Sequence, residues 1–171
     1  KLTKYKYLSY FWILMDNSHI YYLNNGNRLF KAADHLAYVT YPFLKDNKLI
    51  TSITENLYSS LISLMTALLH FEAYNRRIEH MPEDFNGKLA LLKEHCAKRY
   101  SLDENHIKII QDLHNLMKER KTSIMEFYRN DKFIVYNDSG VKSISIRTLR
   151  SYLFISKDFI RKINLIIKNA S

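Results

Sequence analysis

The chain is poor in residues that turn or staple a fold: its 171 residues include 3 glycines, 2 prolines and 1 cysteine. So few turn formers leave little room for a many-stranded sheet with tight connections, and they favour long helices. The lone Cys96 excludes an internal disulfide. With Leu89, Leu92 and Tyr100 at helical spacing around it, it reads as a small core residue of a protein suited to the reducing cytoplasm. No apolar run reaches the roughly 18 to 20 residues that span a bilayer, so no membrane partner is expected. The nearest, Tyr7 to Met15, follows Lys1, Lys4 and Lys6 but stops at Asp16 and Asn17 without a small-residue cleavage site. It reads as a helix or strand docking on the core rather than as a signal peptide.

Motifs for several chemistries are missing too. There is no G-x-x-x-x-G-K-S/T, no G-x-G-x-x-G and no C-x-x-C, so a phosphate-cradling loop, a dinucleotide fold and a cysteine zinc site have no support. No nucleophile-elbow sequence marks a hydrolase. None of the seven histidines forms H-E-x-x-H. His106 and His114 lie about 12 Å apart along one helix, too far for one ion. Neither a metal nor another cofactor is expected.

What is present is a 47% apolar composition, enough for one core spanning residues 1–171. The expected fold is mainly α, an up-and-down bundle of four to six helices with a small β-hairpin near residues 132–146. Residues 1–27 are expected to be a peripheral segment and 28–171 the bundle core. Asn24, Asn25, Gly26 and Asn27 read as a turn, followed by a helix from Arg28 to about Tyr41, where Pro42 disfavours helical geometry. Ser52 and Glu55 have capping-box spacing, and Leu57, Leu61, Leu64, Leu68 and Phe71 sustain one long helix to about His80. Glu72, Arg76 and His80 at its end read as a surface salt-bridge ladder. A further helix is expected from Asp84 to Arg99. Ser101 and Glu104 repeat the capping spacing and launch a helix to about Tyr128. KFIVY, a turn at Asn137 to Gly140, and Val141 to Ile146 make the hairpin, and a helix from Arg147 to Lys168 closes the chain.

The net charge is +9, distributed as +3 over residues 1–80, 0 over 81–141 and +6 over 142–171. An anionic partner such as RNA is one reading of that excess, and an ordinary Lys-rich surface is the other, since no long run of like charge occurs. One cation stands out by position. Ile109, Leu113, Leu116, Met117, Ile124 and Phe127 recur at helical spacing, and Arg120 falls near the middle of that apolar stripe. A guanidinium there needs a partner, a wet cleft or a ligand.

The segment IIQDLHNLMKERKTSIMEFY resembles the motif of the HEPN superfamily of α-helical bundles, in which an Arg, often followed by Asn, precedes a His by four to six residues. The helix layout from Arg28 to Ile167 is similar as well, and KAADHLAYVTYPFLKDNKLITSITENLYSSLISLMTALLHFE is similar to uncharacterised archaeal proteins with HEPN-like helices. The resemblance implies a homodimer with Arg120 in a cleft between subunits, a position many members use for metal-independent RNA cleavage. Lys121 stands where Asn is common. Met125, Glu126 and Phe127 occupy the places of the His, and without a positioned acid or base the rate falls by about two to four orders of magnitude. The expectation is therefore a non-catalytic, dimeric HEPN-like protein holding RNA or another anion in a basic cleft built from Arg120, Lys121, Tyr128, Arg129, Arg147 and Arg150. Two alternatives stand beside it: a divergent ribonuclease or nucleotide-processing enzyme using Glu126 or a distant histidine, and a protein-interaction module in which Arg120 pairs across a dimer with Glu119 or Glu126.

Overall fold

A computed structural model describes residues 18–169 of the chain. The expected docking segment at residues 7–15 lies outside them. In chain order the elements are α1 (Ser18–His35), a π-helical turn (Leu36–Thr40), α2 (Tyr41–Leu44), α3 (Lys48–Tyr74), α4 (Phe85–Leu91), a second π-helical turn (Leu92–Ala97), α5 (Glu104–Lys121), strands β1 (Met125–Arg129), β2 (Lys132–Asn137) and β3 (Gly140–Ser145), and α6 (Ile146–Lys168). The fold is mainly helical with a small antiparallel sheet, as expected.

Cross-helix contacts give the directions. Ser18 with His70 at 3.1 Å and Asn25 with Ser63 at 3.0 Å set α1 antiparallel to α3. Tyr58 with His114 at 3.0 Å, together with Glu55 to Arg120, sets α3 against α5. Tyr152 with Asp112 at 2.8 Å sets α5 against α6, and Asn27 with Asn164 at 2.9 Å returns α6 to α1. Four long helices thus run up, down, up and down around one apolar cluster. Leu57, Leu61, Leu64 and Leu68 of α3 lie in that cluster at 2% exposure or less, where burying each is worth about 1.5 to 3 kcal/mol.

Several boundaries differ from expectation, each for a physical reason. The turn expected at Asn24 to Asn27 is the middle of α1. Its polar residues are spent between helices: Asn25 donates to Ser63, Asn27 exchanges hydrogen bonds with Asn164, and the Gly26 carbonyl accepts from Ser60 at 2.7 Å. Pro42 does not end the helical path. The π turn carries the Tyr41 amide to the Leu36 carbonyl, and Pro42, which has no N–H to satisfy, sits in the first turn of α2. Ser52 and Glu55 are not a capping box, because α3 begins at Lys48. That helix ends at Tyr74, and Glu72 is no surface ladder member: its side chain is wholly buried and paired with Arg77 and Arg99. The cap of α5 is Asp103 with His106, not Ser101 with Glu104.

The largest correction concerns the helix expected to reach Tyr128. It stops at Lys121, and residues 125–129 form β1. Thr122, Ser123 and Ile124 are weak helix formers, and the Thr122 hydroxyl turns back to the Glu119 carbonyl at 3.2 Å. Two consecutive left-handed residues, Asn130 (φ 50°) and Asp131 (φ 56°), then fold β1 onto β2. The hairpin expected at 132–146 is present as β2 and β3. With β1 it forms a sheet of order β1-β2-β3.

Candidate functional site

The sheet closes the end of the bundle where α3 starts and α5 stops. Its inward face carries Glu126 and Tyr128 of β1, Phe133 and Val135 of β2, and Ile144 of β3, with Phe133 and Val135 buried. The Tyr128 hydroxyl meets the Thr51 hydroxyl at 2.7 Å, and Asn137 donates to Glu119. Tyr128, expected in an anion cleft, therefore helps dock the sheet on α3.

Arg120 stands at the centre of this junction. Its Nε donates to both carboxylate oxygens of Glu126, at 3.1 and 3.2 Å, and its Nη1 donates to Glu55. Its Cζ lies 5.5 Å from the centre of the Phe133 ring. Burial works against the charge, but the hydrogen bonds to Glu55 and then Glu126 prevail and raise its pKa above the usual arginine value. The unit as a whole carries one positive and two negative charges, so a phosphate approaching Arg120 meets carboxylates. Glu126, named as a partner across a dimer, is instead a partner within the same chain.

The other expected cations separate into two groups. Arg150 is committed to the fold: its Nε and Nη2 donate to the Ala37 carbonyl at 3.2 and 2.9 Å, its guanidinium lies over the rings of Tyr38 and Tyr41, and the Tyr38 hydroxyl donates to its own carbonyl at 3.1 Å. This lock ties the π turn after α1 to α6. Lys121, Arg129 and Arg147 are exposed. Arg129 faces out at the end of β1 and is register partner to Lys132, while Arg147 opens α6 directly after β3. The Ile146 amide donates to the Asp131 carbonyl at 3.1 Å, bringing the start of α6 to the β1-β2 turn.

Strand alternation keeps Lys142 and Asn137 on the inward side with Val135 and sends the intervening side chains outward. One register row of the outer face is Met125, Tyr136 and Val141; the next is Phe127, Ile134 and Ser143; the last is Arg129, Lys132 and Ser145. Met125 is 57%, Tyr136 45% and Val141 63% exposed, which is far outside a core environment. Phe127 and Tyr136 sit on adjacent strands one row apart, the diagonal relation in which residue positions lie about 7 to 8 Å from one another, within reach of aromatic side chains. The only acid of β1, Glu126, points inward and is consumed by Arg120. The outer face is therefore apolar and aromatic, with basic residues at one end. No element covers it among the described residues.

Sequence reasoning reached Arg129 and Arg147 here but missed Met125, Phe127, Lys132 and Tyr136 as a surface. The available signal was Asn130-Asp131, a two-residue hairpin turn between two β-type runs. The helical spacing from Met117 through Ile124 to Phe127 competed with it.

Elsewhere, a cavity of about 760 Å³ between the second π turn and α5 is lined in part by Lys93, Lys98 and Lys108, with Glu104 among them. The described residues hold no cluster of three metal-ligating side chains and no helix long and apolar enough to cross a membrane. The chain matches no family model, no curated protein and no solved structure.

Proposed function

We propose that this protein is a non-catalytic RNA-binding module that holds single-stranded RNA on the outer face of its sheet. One observation carries the reading: Phe127 and Tyr136 lie on neighbouring strands of a face that is uncovered among the described residues and ends in the Arg129 and Lys132 pair. Exposed aromatic rings stack unpaired bases at about 1 to 3 kcal/mol each, and cations beside them hold the connecting phosphates. The inward turn of Glu126 removes the one carboxylate of β1 that would repel the backbone, and Arg147 extends the basic end onto α6. The overall charge of +9 favours encounter with a polyanion. The HEPN-like reading located the anion at Arg120. Two carboxylates on that guanidinium argue for the sheet face instead.

The test is fluorescence anisotropy with a labelled oligouridine. Phe127→Ala and Tyr136→Ala should each weaken binding about tenfold, at roughly 1.4 kcal/mol per lost stack, and Lys132→Ala should lower the salt dependence. Binding that ignores all three variants sinks the proposal. A second reading has its own observation: among the described residues β1 pairs on one side only, so its other edge can take a strand from a second copy. A dimer in sedimentation that dissociates on Phe127→Glu, with no RNA affinity in the wild type, would put a second copy on β1 instead.

A further inference from the structure

The opposite end of the bundle carries a separate arrangement, centred on Glu72. Its side chain is wholly buried, yet it receives two arginines: Arg77 Nη1 donates to Oε1 at 3.0 Å and Arg99 Nη1 to Oε2 at 2.8 Å. The Tyr100 hydroxyl also donates to Oε1, and Arg77 Nη1 approaches that hydroxyl at 3.3 Å. One carboxylate needs one cation to neutralise it, so among the described residues the cluster is left with a surplus positive charge. The arginine side chains are 44% and 47% exposed, and each engages Glu72 through Nη1, which leaves the Nε and Nη2 donors of each planar fork outside that pairing.

Beside this cluster lies a cavity of about 410 Å³. Arg77, Tyr100 and Asn169 supply its polar lining, and Phe71, Leu165 and Ile166 its apolar lining. Leu165 is 53% exposed although it belongs to that lining. A surplus cation facing apolar surface suits a ligand with one charged head and one greasy body. Tyr100 is no obstacle to an anion: burial and the bond to Glu72 push its pKa up to about 12, so its hydroxyl stays neutral. The buried carboxylate works as a brace, holding the guanidiniums at fixed positions before any ligand arrives.

We infer that this cavity binds a small oxyanion bearing an apolar group, with the phosphate or carboxylate head on Arg77 and the apolar part against Phe71, Leu165 and Ile166. The site is at the far end of the bundle from the sheet and does not depend on RNA binding, so either proposal can fail without the other. The experiment is calorimetric titration of the full chain with phenyl phosphate and with octanoate, using inorganic phosphate and acetate as head-only controls. The expected result is a dissociation constant of about 1 mM or below for at least one amphiphile, at least about tenfold tighter than its head-only control. Which amphiphile wins assigns the head group. Arg77→Gln should abolish that binding and Leu165→Glu should weaken it at least about tenfold, with unchanged circular dichroism. Leu165 is half exposed, so its variant keeps the test valid even where loss of Arg77 disturbs the fold. Head-only ions binding as tightly as the amphiphiles, no binding by either amphiphile up to about 10 mM, or binding that survives Leu165→Glu would each overturn the inference.

Discussion

Arg120 illustrates how one residue can be conspicuous for the wrong reason. A cation in an apolar stripe invites a ligand, but this one ties three elements together: α3 through Glu55, β1 through Glu126 and β2 through the face of Phe133. Its side chain is 25% exposed, so the pair energies lie between those of surface and buried bridges. Arg120→Ala should lower stability by about 1 to 2 kcal/mol, because it also leaves two carboxylates facing each other. Urea unfolding measures that loss. RNA affinity of the still-folded variant should change less than twofold, and a drop as large as that expected for Tyr136→Ala would return Arg120 to the binding surface.

At the scale of elements, close approach decides what propensity does not. A Cβ on Gly26 would sit 2.6 Å from Leu64 Cγ and 3.2 Å from the Ser60 carbonyl. Alanine is the better helix former by about 1 kcal/mol, yet overpacking costs about 1 to 3 kcal/mol. Gly26→Ala should therefore be destabilising, seen as a lower thermal midpoint; a rise would mean that α1 and α3 have slack between them. The start of α5 makes a second prediction. The Asp103 amide donates to His106 Nδ1 at 3.2 Å, and His106 Nε2 lies 3.6 Å from Asp158. Burial lowers the His106 pKa despite the attraction of Asp158. The unfolded chain then binds the proton more readily, so this contribution is complete above the usual histidine value near 6.5 and is lost as pH falls below it. His106→Gln keeps an acceptor for the cap without titrating. Its urea midpoint should fall less than that of the wild type between pH 7.5 and 5.5, with a residual slope from His70 and His114, whose pKa values burial also lowers. Equal slopes would show that His106 does not titrate with folding.

The molecule as a whole carries its two proposed sites at opposite ends of a packed bundle, and its charge acts over distance on both. With about three phosphates held near the sheet, oligouridine affinity should fall by about a factor of 20 between 50 and 200 mM salt, from a slope of about −0.7 per phosphate. A flat salt response would mean that stacking acts without the cations. The bundle itself was legible in the chain, because scarce turn formers and leucines at helical spacing leave few other folds for α3, and the closing helix came within one residue at its start. Boundaries were less legible where polar residues serve helix contacts, as at Asn25 and Asn27, which look like a turn until Ser63 and Asn164 are opposite them. The candidate site was hardest to read. Composition and local spacing by themselves determined a mainly helical protein, its long central helix and its basic excess, since these depend on side-chain type and on period along the chain. Which side of Met125 to Arg129 meets water, and whether Arg120 finds carboxylates or a cleft, depends on partners 65 residues away such as Glu55. Only tertiary packing brings those together, so only the folded structure sets Arg120 against two carboxylates and leaves one face of the sheet uncovered among the described residues.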